Sequence, residues 1–440
     1  MKCRPGLLFL WALLFLPCCG NHTPVDAWPP GTSLKDLAIY VTNDIHYFAQ
    51  SLHDQQTADQ DGKNVEMVDF LLQALAYGLE KPAILLVNGD LSYNGERESH
   101  RELAARLQEL AGQGVKVYVI PGNHDLNNPA ARSLLKGRVA LVQSVNPRQF
   151  VQVYRDFGYG EAISRDKTSL SYVAEPLPGL RLLMLDSCKY TNNRALGYSE
   201  VGGALAPATR AWIRKAAESA RRDGAVLVAA MHHSLMDHHP LVHDGFTVDD
   251  AESLAELLTA LGINFILTGH IHAQEIARAE TSAGPVFDIA TSALAVYPHQ
   301  LGLLRYTPGS GAWQYSVFKP DMETWARSQG LTDARLLNFT SYTEGFFRRN
   351  AGDMVRRRLS PEQLSQLSPE EVDALAELMA TLNSRYFAGT EALNALDIPQ
   401  SAGYRLLETR ELDFLTGYAR TIMEDRPPAN TELYIPIIRP

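Results

Sequence analysis

The stretch INFILTGHIHAQ, residues 263–274, joins an apolar run to two closely spaced histidines. The run has the length and composition of a strand inside a sheet. It ends at Gly269, and His270 and His272 follow one residue apart. Residues i and i+2 of an extended backbone point the same way, so both imidazoles can enter one cleft where the strand ends. Histidine pairs are also common on surface loops, so a metal site requires further ligands elsewhere in the chain.

A regular alternation of strands and helices surrounds this stretch. Apolar runs typical of strands occupy residues 37–44, 83–90, 115–125, 180–186, 225–233, 263–270 and 285–290. Amphipathic runs with helical spacing occupy residues 65–80, 101–114, 207–222 and 248–262. This alternation is typical of βαβ units, so the sequence predicts an α/β fold around a buried, largely parallel sheet.

The ends of five predicted strands carry residue types that commonly bind metals in proteins. These ends are Asp44-Ile45-His46, Gly89-Asp90, Gly122-Asn123-His124-Asp125, His232-His233 and Gly269-His270-Ile271-His272. The carboxyl ends of parallel strands gather at one edge of an α/β sheet, and ligands bind there. Each motif alone also has a structural explanation, because Asp, Asn and Gly favour turns. Their recurrence at five strand ends predicts a metal site at that edge.

The ordered set D-x-H, G-D, G-N-H-D, H and G-H-x-H resembles the calcineurin-like metallophosphoesterase family. The resemblance covers roughly residues 37–320 and implies a four-layer αββα sandwich with a dinuclear metal centre. It also implies hydrolysis of a phosphomonoester or phosphodiester, in which a hydroxide bridging the two metals attacks phosphorus.

The resemblance further implies which residues hold the metals. It assigns Asp44, His46 and His272 to one metal, Asn123, His232 and His270 to the other, and Asp90 to both as a bridge. Mixed nitrogen and oxygen ligands suit two transition-metal ions such as Mn, Fe, Zn or Co. In the motif MHHS, His232 takes the family position, but His233 remains an alternative. Adjacent strand residues point to opposite faces, so only one of the two can face the cleft.

The resemblance implies a catalytic role for the motif G-N-H-D beyond metal binding. His124 would contact the phosphate and protonate the leaving oxygen, with Asp125 as its orienting partner. The segment GDLSY, residues 89–93, is similar to purple acid phosphatases, whose tyrosine binds iron. Those enzymes have D-x-G where this chain has D-x-H. We therefore interpret Tyr93 as a packing or cleft-wall residue.

The composition limits the classes of partner. The chain has 440 residues, of which 45% are hydrophobic and 20% charged, as in ordinary globular proteins. The net charge of −10 argues against a broad surface for a nucleic-acid polymer. A small phosphorylated substrate remains open, because a bound metal dominates its own local field.

The first twenty residues resemble an export signal. Lys2 and Arg4 precede an apolar run from Leu7 to Leu16, which is too short to span a bilayer but typical of a secretory signal. A short N-terminal membrane anchor is the alternative. The run ends in Leu-Pro-Cys-Cys-Gly, which resembles the lipobox of bacterial lipoproteins with Cys19 as the lipidated residue. The sequence thus predicts an exported protein that touches a membrane only through this lipid anchor, at the cell surface or in the periplasm.

Four segments follow from these patterns. They are a signal peptide at 1–19, a tether at 20–34, a catalytic domain at 35–320 and a mostly helical extension at 321–440. Cleavage before Cys19 leaves Cys188 as the only other cysteine, so no internal disulfide is expected, and we interpret Cys188 as a buried small residue.

Two other functional classes compete with an exported phosphoesterase. The first is a non-catalytic surface lipoprotein that uses the fold as a binding module, although such a protein would be expected to lose ligands and here none is missing. The second is a structural lipoprotein whose helical extension binds a partner. Among substrates, an exported enzyme favours extracellular nucleotides, phosphodiesters or lipid headgroups over intracellular cyclic nucleotides.

Overall fold

The computed structural model of the chain describes residues 33–54, 63–307, 311–424 and 426–437. The expected signal peptide, its Cys19 and residues 20–32 of the expected tether lie outside these ranges. Within them, no helix combines the length and the apolar character needed to cross a membrane.

Two large sheets and one hairpin contain the strands of the described residues. The strands are β1 Ala38–Thr42, β2 Ala83–Asn88, β3 Val115–Ile120, β4 Arg132–Leu135, β5 Arg138–Leu141, β6 Ser164–Arg165, β7 Tyr172–Leu177, β8 Leu180–Leu185, β9 Val226–Met231, β10 Phe265–Thr268, β11 Glu275–Thr281, β12 Gly284–Ala290, β13 Leu301–Thr307, β14 Ala312–Phe318 and β15 Glu432–Pro436. One sheet has the order β15-β14-β13-β1-β2-β3, the other β11-β12-β10-β9-β8-β7-β6, and β4 pairs with β5.

The seven-stranded sheet has a parallel centre and two antiparallel edges, whereas the six-stranded sheet is parallel from β1 to the edge strand β3 and antiparallel on its other side. β1, β2 and β3 run parallel, as do β8, β9, β10 and β12. The pairs β1–β13, β13–β14, β7–β8 and β11–β12 are antiparallel. The expected parallel sheet is therefore divided between two sheets, and its antiparallel edges were not predicted.

Helices cover the outer faces of both sheets and form the region after β14. They are α1 Val65–Gly78, α2 Arg97–Gly112, α3 Pro147–Val153, α4 Asn193–Leu196, α5 Pro207–Arg222, α6 Ala251–Ala260, α7 Met322–Ser328, α8 Ala334–Leu337, α9 Phe339–Arg358, α10 Pro361–Ser365, α11 Pro369–Ala388, α12 Asn394–Asp397, α13 Ala402–Thr409 and α14 Asp413–Thr421. Leu71 of α1 shares a core with Val41 and Leu86, and Leu254 of α6 shares a second core with Leu183. The order helix, sheet, sheet, helix confirms the predicted four-layer α/β sandwich.

Two buried asparagines tie the carboxyl ends of the two sheets together. The side-chain amide of Asn43, just after β1, donates to the carbonyl of Thr291 at 3.0 Å. The side-chain amide of Asn88, the last residue of β2, donates to the carbonyl of Leu267 at 3.1 Å. These bonds satisfy the buried side-chain N–H groups of both asparagines and connect the strand ends of the two sheets.

The region after β14 packs on the catalytic part of the chain. Helices α9, α11, α13 and α14 share a core that includes Leu375, Leu378 and Leu382, and Ala273 from the catalytic part belongs to the same core. The structure thus confirms the predicted helical extension from α7 to α14. The last segment differs from the prediction, because β15 joins the six-stranded sheet beside β14.

Cys188 is only partly buried, whereas we expected it to be buried. Its thiol donates to the carbonyl of Pro121 at 3.3 Å. Burial of the sulfur, followed by the nearby Asp186, Asp90 and Asp125 carboxylates, raises the pKa of the Cys188 thiol well above its usual value. The neutral thiol is therefore a poor nucleophile and a poor metal ligand.

Candidate metal centre

The metal-ligand side chains at the strand ends converge at one edge of the sandwich. Their ligand atoms form three overlapping groups, each within 4.8 Å: Asp44, His46 and His272; His46, Asp90 and His124; and Asp90, His232 and His270. Asp44, His46, Asp90, His232 and His270 are buried, whereas His124 and His272 are partly exposed. The cluster is therefore built inside the protein and reaches solvent through two imidazoles.

The first group has the spacing that one cation requires. Oδ1 of Asp44 lies 3.4 Å from Nε2 of His272 and 3.9 Å from Nε2 of His46, and the two ring nitrogens are 3.2 Å apart. Ligand atoms about 2 Å from a common cation are themselves about 3–4 Å apart. Oδ1 of Asp44 is buried without a hydrogen-bond partner in the described part of the chain. A buried carboxylate oxygen without a donor fits a metal ion, which would supply the missing positive charge.

The second group meets the first at Asp90. Nε2 of His232 lies 3.1 Å from Oδ1 of Asn123 and 3.6 Å from Oδ1 of Asp90. The other oxygen of Asp90, Oδ2, lies 3.8 Å from Nε2 of His46. One carboxylate thus faces both groups with different oxygens, which is the arrangement that a bridging ligand needs.

Hydrogen bonds to the backbone leave a free lone pair on two of the imidazoles. Nδ1 of His232 donates to the carbonyl of Asn88 at 2.8 Å, so Nε2 is the ligand atom. Nε2 of His270 donates to the carbonyl of Gly245 at 3.2 Å, so Nδ1 is the ligand atom. Burial lowers the pKa of His46 and of His270 well below the usual value, and Lys63 reinforces the effect for His46 while neighbouring imidazoles reinforce it for both. Both rings are therefore neutral, which is the form that binds metals.

The backbone is strained at five residues of the cluster. Asp44, His46, Asp90, His270 and His272 have φ values of 49°, 43°, 49°, 69° and 61°. This left-handed region is uncommon for residues other than glycine. Such strain concentrates at functional sites, where the surrounding structure holds a side chain in one required position.

Both ring nitrogens of His233 are engaged outside the cluster, although its ring packs against His270 with centroids 4.7 Å apart. Its Nδ1 lies 2.7 Å from Oγ of Ser187, and its Nε2 donates to the carbonyl of Val201 at 2.8 Å. The structure therefore directs a ring nitrogen of His232, and not of His233, toward the other candidate ligands.

Comparison with protein families agrees with this geometry. The family model for the calcineurin-like phosphoesterases matches residues 37–274, which is more than half of the chain. The chain belongs to the calcineurin-like phosphoesterase family. This is a family of dinuclear metal enzymes, so the protein is a hydrolase that acts on phosphoric ester bonds, as the sequence predicts. Residues 321–427 match the model for the C-terminal domain of cyclic nucleotide phosphodiesterase.

Solved structures share parts of this phosphoesterase fold at low identity. A dimetal phosphatase from Danio rerio is 12% identical, with 64% of this chain and 96% of that chain covered and a TM-score of 0.47. A purple acid phosphatase from yellow lupin seeds is 12% identical, with 64% and 51% covered and a TM-score of 0.42. The NAD nucleotidase of Haemophilus influenzae is 14% identical, with 64% and 49% covered and a TM-score of 0.34. The chain thus spans about half the length of the latter two proteins, and no curated protein matches it.

In this phosphoesterase, His124 lies at the exposed side of the cluster. Its backbone N–H donates to Oδ1 of Asp90 at 2.8 Å, and its Nε2 lies 3.9 Å from Oδ2 of the same residue. Its Nδ1 lies 3.0 Å from the carbonyl of Tyr93 and 3.2 Å from Oδ1 of Asn94. These contacts turn Nε2 toward the cluster, where a substrate can reach it.

Asp125 has a different environment from the one we expected. Its carboxylate accepts hydrogen bonds from the backbone N–H groups of Gly122, Leu91 and Ser92 at 2.8, 3.1 and 2.9 Å. Burial, with a further contribution from Asp90, raises the pKa of Asp125 to about 7. Asp125 therefore fixes the loops that carry Asp90 and Asn123, and the Tyr93 carbonyl takes the place of the predicted orienting partner of His124.

Two further residues beside the cluster were not predicted as functional. The ring of Tyr93 packs on Phe48 as expected, with centroids 4.7 Å apart, but its carbonyl orients His124, and a carbonyl has no signature in the sequence. Lys63 lies 5.7 Å from the centre of the Tyr93 ring and is buried. Its ammonium contributes to lowering the pKa of His46, behind the larger effect of burial, so it adds positive charge beside the cluster.

Proposed function

We propose that the protein is a metal-dependent phosphodiesterase and that cyclic nucleotides are the first substrate class to test. The observation that carries the proposal is the pair of ligand groups joined at Asp90, with Oδ1 of Asp44 buried and unpartnered among the described residues. The match of residues 321–427 to the C-terminal domain of cyclic nucleotide phosphodiesterase supports the substrate class. The net charge of −10 supports a small substrate over a nucleic-acid polymer.

Seven side chains would hold two metal ions. Asp44, His46 and His272 would bind one, Asn123, His232 and His270 the other, and Asp90 both. Bound transition-metal ions would supply Lewis acidity and positive charge for the phosphoryl group. The mixture of imidazole nitrogens and carboxylate or amide oxygens suits Mn²⁺, Fe, Zn²⁺ or Co²⁺.

His124 would supply the proton for the leaving oxygen. Because Nδ1–H donates to the carbonyl of Tyr93, proton transfer takes place at Nε2, on the partly exposed side of the ring. Burial, opposed by Asp90, lowers the pKa of His124, so the imidazole would attract the anionic phosphate only in its protonated form. Lys63, buried beside Tyr93, would add to that attraction.

The experiment that tests this function measures hydrolysis by the full chain reconstituted with each metal. The panel contains cyclic nucleotides, linear nucleotides, bis-p-nitrophenyl phosphate, phosphomonoesters and sphingomyelin, each with and without a chelator. We expect cyclic nucleotides to be hydrolysed only with metal. A preference for phosphomonoesters or for sphingomyelin would overturn the substrate class, and activity that survives the chelator would overturn metal dependence.

Asp90→Asn tests the bridge directly. The amide keeps the shape of the side chain but removes the charge between two cations, so the affinity for both metals should fall by about 10- to 100-fold or more. Metal content per chain and turnover are measured together. Asp186→Asn is the control, because Asp186 is a buried carboxylate that accepts hydrogen bonds from Leu170 and Tyr190 instead. Wild-type activity of Asp90→Asn with one bound metal would contradict the assignment.

We also propose that the enzyme is exported and anchored through a lipid on Cys19. The basic start, the apolar run from Leu7 to Leu16 and the following Leu-Pro-Cys-Cys-Gly support this location. Such an enzyme would meet cyclic nucleotides outside the cytoplasm, and the match of residues 321–427 is the reason to test this class although export alone favours other substrates. Cys19→Ser should release the protein from membranes or block its processing. A mature N-terminus that begins beyond residue 19, measured by mass spectrometry, would exclude the lipid.

A further inference from the structure

A cavity lies between the loop that follows β9 and the C-terminal helices. It has a volume of about 200 Å³, and its lining includes His238, His239, Phe246, Ile271, Tyr386 and Tyr418. We call it the junction cavity. Tyr386 and Tyr418 belong to α11 and α14, so neither the catalytic part nor the helical extension forms the cavity alone.

The junction cavity shares a wall with the candidate metal centre. The rings of Phe246 and His270 are in contact, with centroids 4.9 Å apart. Ile271 stands between His270 and His272 in the sequence and lines the cavity. A molecule in the cavity would therefore lie beside the Phe246 ring that contacts His270.

A fixed pair of aromatic rings forms the wall on the side of the helical extension. The rings of His239 and Tyr418 are stacked, with centroids 5.3 Å apart and planes 24° from parallel. Nδ1 of His239 accepts the backbone N–H groups of Leu241 and Val242, both at 3.0 Å, and its Nε2 lies 2.9 Å from Oγ1 of Thr421. Burial, reinforced by His243, lowers the pKa of His239 to about 4, so the ring is neutral.

His238 lines the same cavity and has a buried side chain with an unpartnered nitrogen. Its side chain is 1% exposed, and its Nδ1 has no hydrogen-bond partner in the described part of the chain. Its Nε2 lies 3.1 Å from Oδ2 of Asp288 but is not aligned for a hydrogen bond. The same carboxylate oxygen accepts the N–H of Met236 at 2.9 Å, which fixes the start of the loop. A buried polar nitrogen without a partner is costly, so a ligand that supplies one would be favoured.

We propose that the junction cavity binds the base of a nucleotide substrate. A planar heteroaromatic ring stacks on flat aromatic walls, and nitrogen or oxygen atoms at its edge can pair with a buried imidazole. An acyl chain would fill the apolar space but would leave Nδ1 of His238 unpartnered. The sugar would then carry the phosphate toward His270 and His272. The inference rests on the proposed function, and it makes the helical extension part of the substrate site.

The test measures binding of nucleosides, which carry no phosphate, to the full chain by calorimetry. Adenosine, guanosine, cytidine and uridine are titrated, with ribose as the control that lacks a base. We expect at least one nucleoside to bind with a Kd on the order of 0.1 mM and ribose not to bind. Because nothing is hydrolysed, the result does not depend on the proposed activity.

Val242→Trp blocks the rim of the cavity. Val242 lines the cavity, and it is 44% exposed, so a larger side chain does not disturb a core. Binding of the nucleoside should weaken about tenfold or more. Val139→Trp on β5 is the matched control, because this valine is 68% exposed and does not line the cavity.

His238→Ala is the second variant and should weaken nucleoside binding several-fold. Its thermal unfolding is recorded to confirm that the variant is folded.

Three results would overturn the inference. They are no binding of any nucleoside at about 5 mM, binding that Val242→Trp leaves unchanged, and binding of dihexanoylphosphatidylcholine in place of nucleosides. Nucleoside binding that Val242→Trp removes, together with failure to hydrolyse any nucleotide, would leave the base site standing and refute the proposed function alone.

Discussion

Hydrogen bonds hold the strained backbone at Asp44, His46 and Asp90 in the candidate metal centre. Each has positive φ, which costs roughly 1–3 kcal/mol for a residue with a Cβ. The N–H of Asp44 donates to the carbonyl of Gly89 at 3.0 Å, and the N–H of His46 donates to the carbonyl of Asp90 at 2.9 Å. Oδ2 of Asp44 accepts the N–H of His270 at 2.8 Å. These bonds fix the strand ends against one another, so the ligand atoms stay close without freedom to relax.

His124→Ala separates proton donation from metal binding. The ring touches the cluster from its exposed side, so its removal should leave the metal content close to that of the wild type. Turnover should fall by about 10² to 10⁴ if the imidazole protonates the leaving oxygen. The loss should be smaller for substrates whose leaving groups need no proton, such as bis-p-nitrophenyl phosphate.

The measurement is kcat for a leaving-group series, together with metal analysis of the same samples. Asn128→Ala is the control, because this side chain binds backbone groups: it donates to the carbonyl of His124 and accepts the N–H of Ala130, both at 2.9 Å. A metal-free His124→Ala protein would instead make His124 a ligand, and an equal loss for all leaving groups would exclude the acid role.

Glu96 gives the folded protein a stability that depends on pH. Burial raises the pKa of Glu96 from its usual 4.5 to about 7, against the opposing hydrogen bonds from Asn94 and Ser99. Between these two values the folded chain binds the proton more tightly than the unfolded chain. The contribution of Glu96 is therefore complete below pH 4.5 and is lost as pH rises through about 7. The loss amounts to about 3 kcal/mol at most.

Glu96→Gln should remove this pH dependence. The free energy of unfolding is measured by denaturant titration at pH 5 and pH 8 for both proteins. The wild type should lose up to about 3 kcal/mol more than the variant between these pH values, because other titrating groups cancel in the difference. An identical pH dependence for the two proteins would show that the pKa of Glu96 is close to its usual value.

At the scale of elements, the strands that run parallel could be predicted and the antiparallel strands that flank them could not. β2 and β10 are continuous apolar runs that end in ligand motifs, because both of their faces are buried. β11 is half exposed, with a mixed sequence EIARAET, and gives only a weak alternation signal. β15 pairs with β14 across more than a hundred residues, and a single sequence carries no signal for such a distant pairing.

The candidate site also has features that could be predicted from the sequence and features that could not. Asp44, Asp90 and His272 could be predicted to meet, because motifs at strand ends share one edge of the sandwich. Their role as metal ligands stays a prediction until metal is measured. The orientation of His124 by the carbonyl of Tyr93 could not be predicted, because backbone carbonyls are common to all residues. The placement of Asp125 depends on three backbone N–H groups that only the folded loops bring together.

Gly122 connects the end of β3 with the candidate bridge. A Cβ at this position would lie 2.1 Å from the backbone nitrogen of Asp90 and 2.2 Å from its Oδ1. Gly122→Ala should therefore displace Asp90, lower the free energy of unfolding by about 1–3 kcal/mol and reduce metal content. Gly112→Ala in α2 is the matched control, because a Cβ there meets no atom within 4 Å. Normal metal content in Gly122→Ala would show that the loop can shift without cost to the site.

At the scale of the whole molecule, the helical extension and the catalytic part are connected at several separate points. Besides the pairing of β15 with β14, the amide of Gln274 donates to the carbonyl of Asn430 at 2.7 Å. The guanidinium of Arg335 donates to Glu66 of α1 at 2.8 Å. Two residues after His272, the N–H of Gln274 also donates to the carbonyl of Phe387 in α11 at 3.2 Å. The extension therefore stabilises the loop after β10, which carries the candidate ligands His270 and His272.

Leu378→Asp tests whether the extension and the catalytic part fold as one unit. Leu378 is 3% exposed in the core that also contains Ala273, so a carboxylate there should destabilise the whole chain by more than about 3 kcal/mol. Leu396→Asp is the matched control, because Leu396 is 71% exposed and should tolerate the charge. One cooperative unfolding transition at lower temperature, with activity lost in parallel, is the expected result.

Residues 35–320 expressed alone should then be insoluble or poorly folded, because the edge of β14 and the surface around Ala273 would be uncovered. A soluble 35–320 fragment with full metal content and full activity would show that the extension is separable and that its packing does not support the catalytic site.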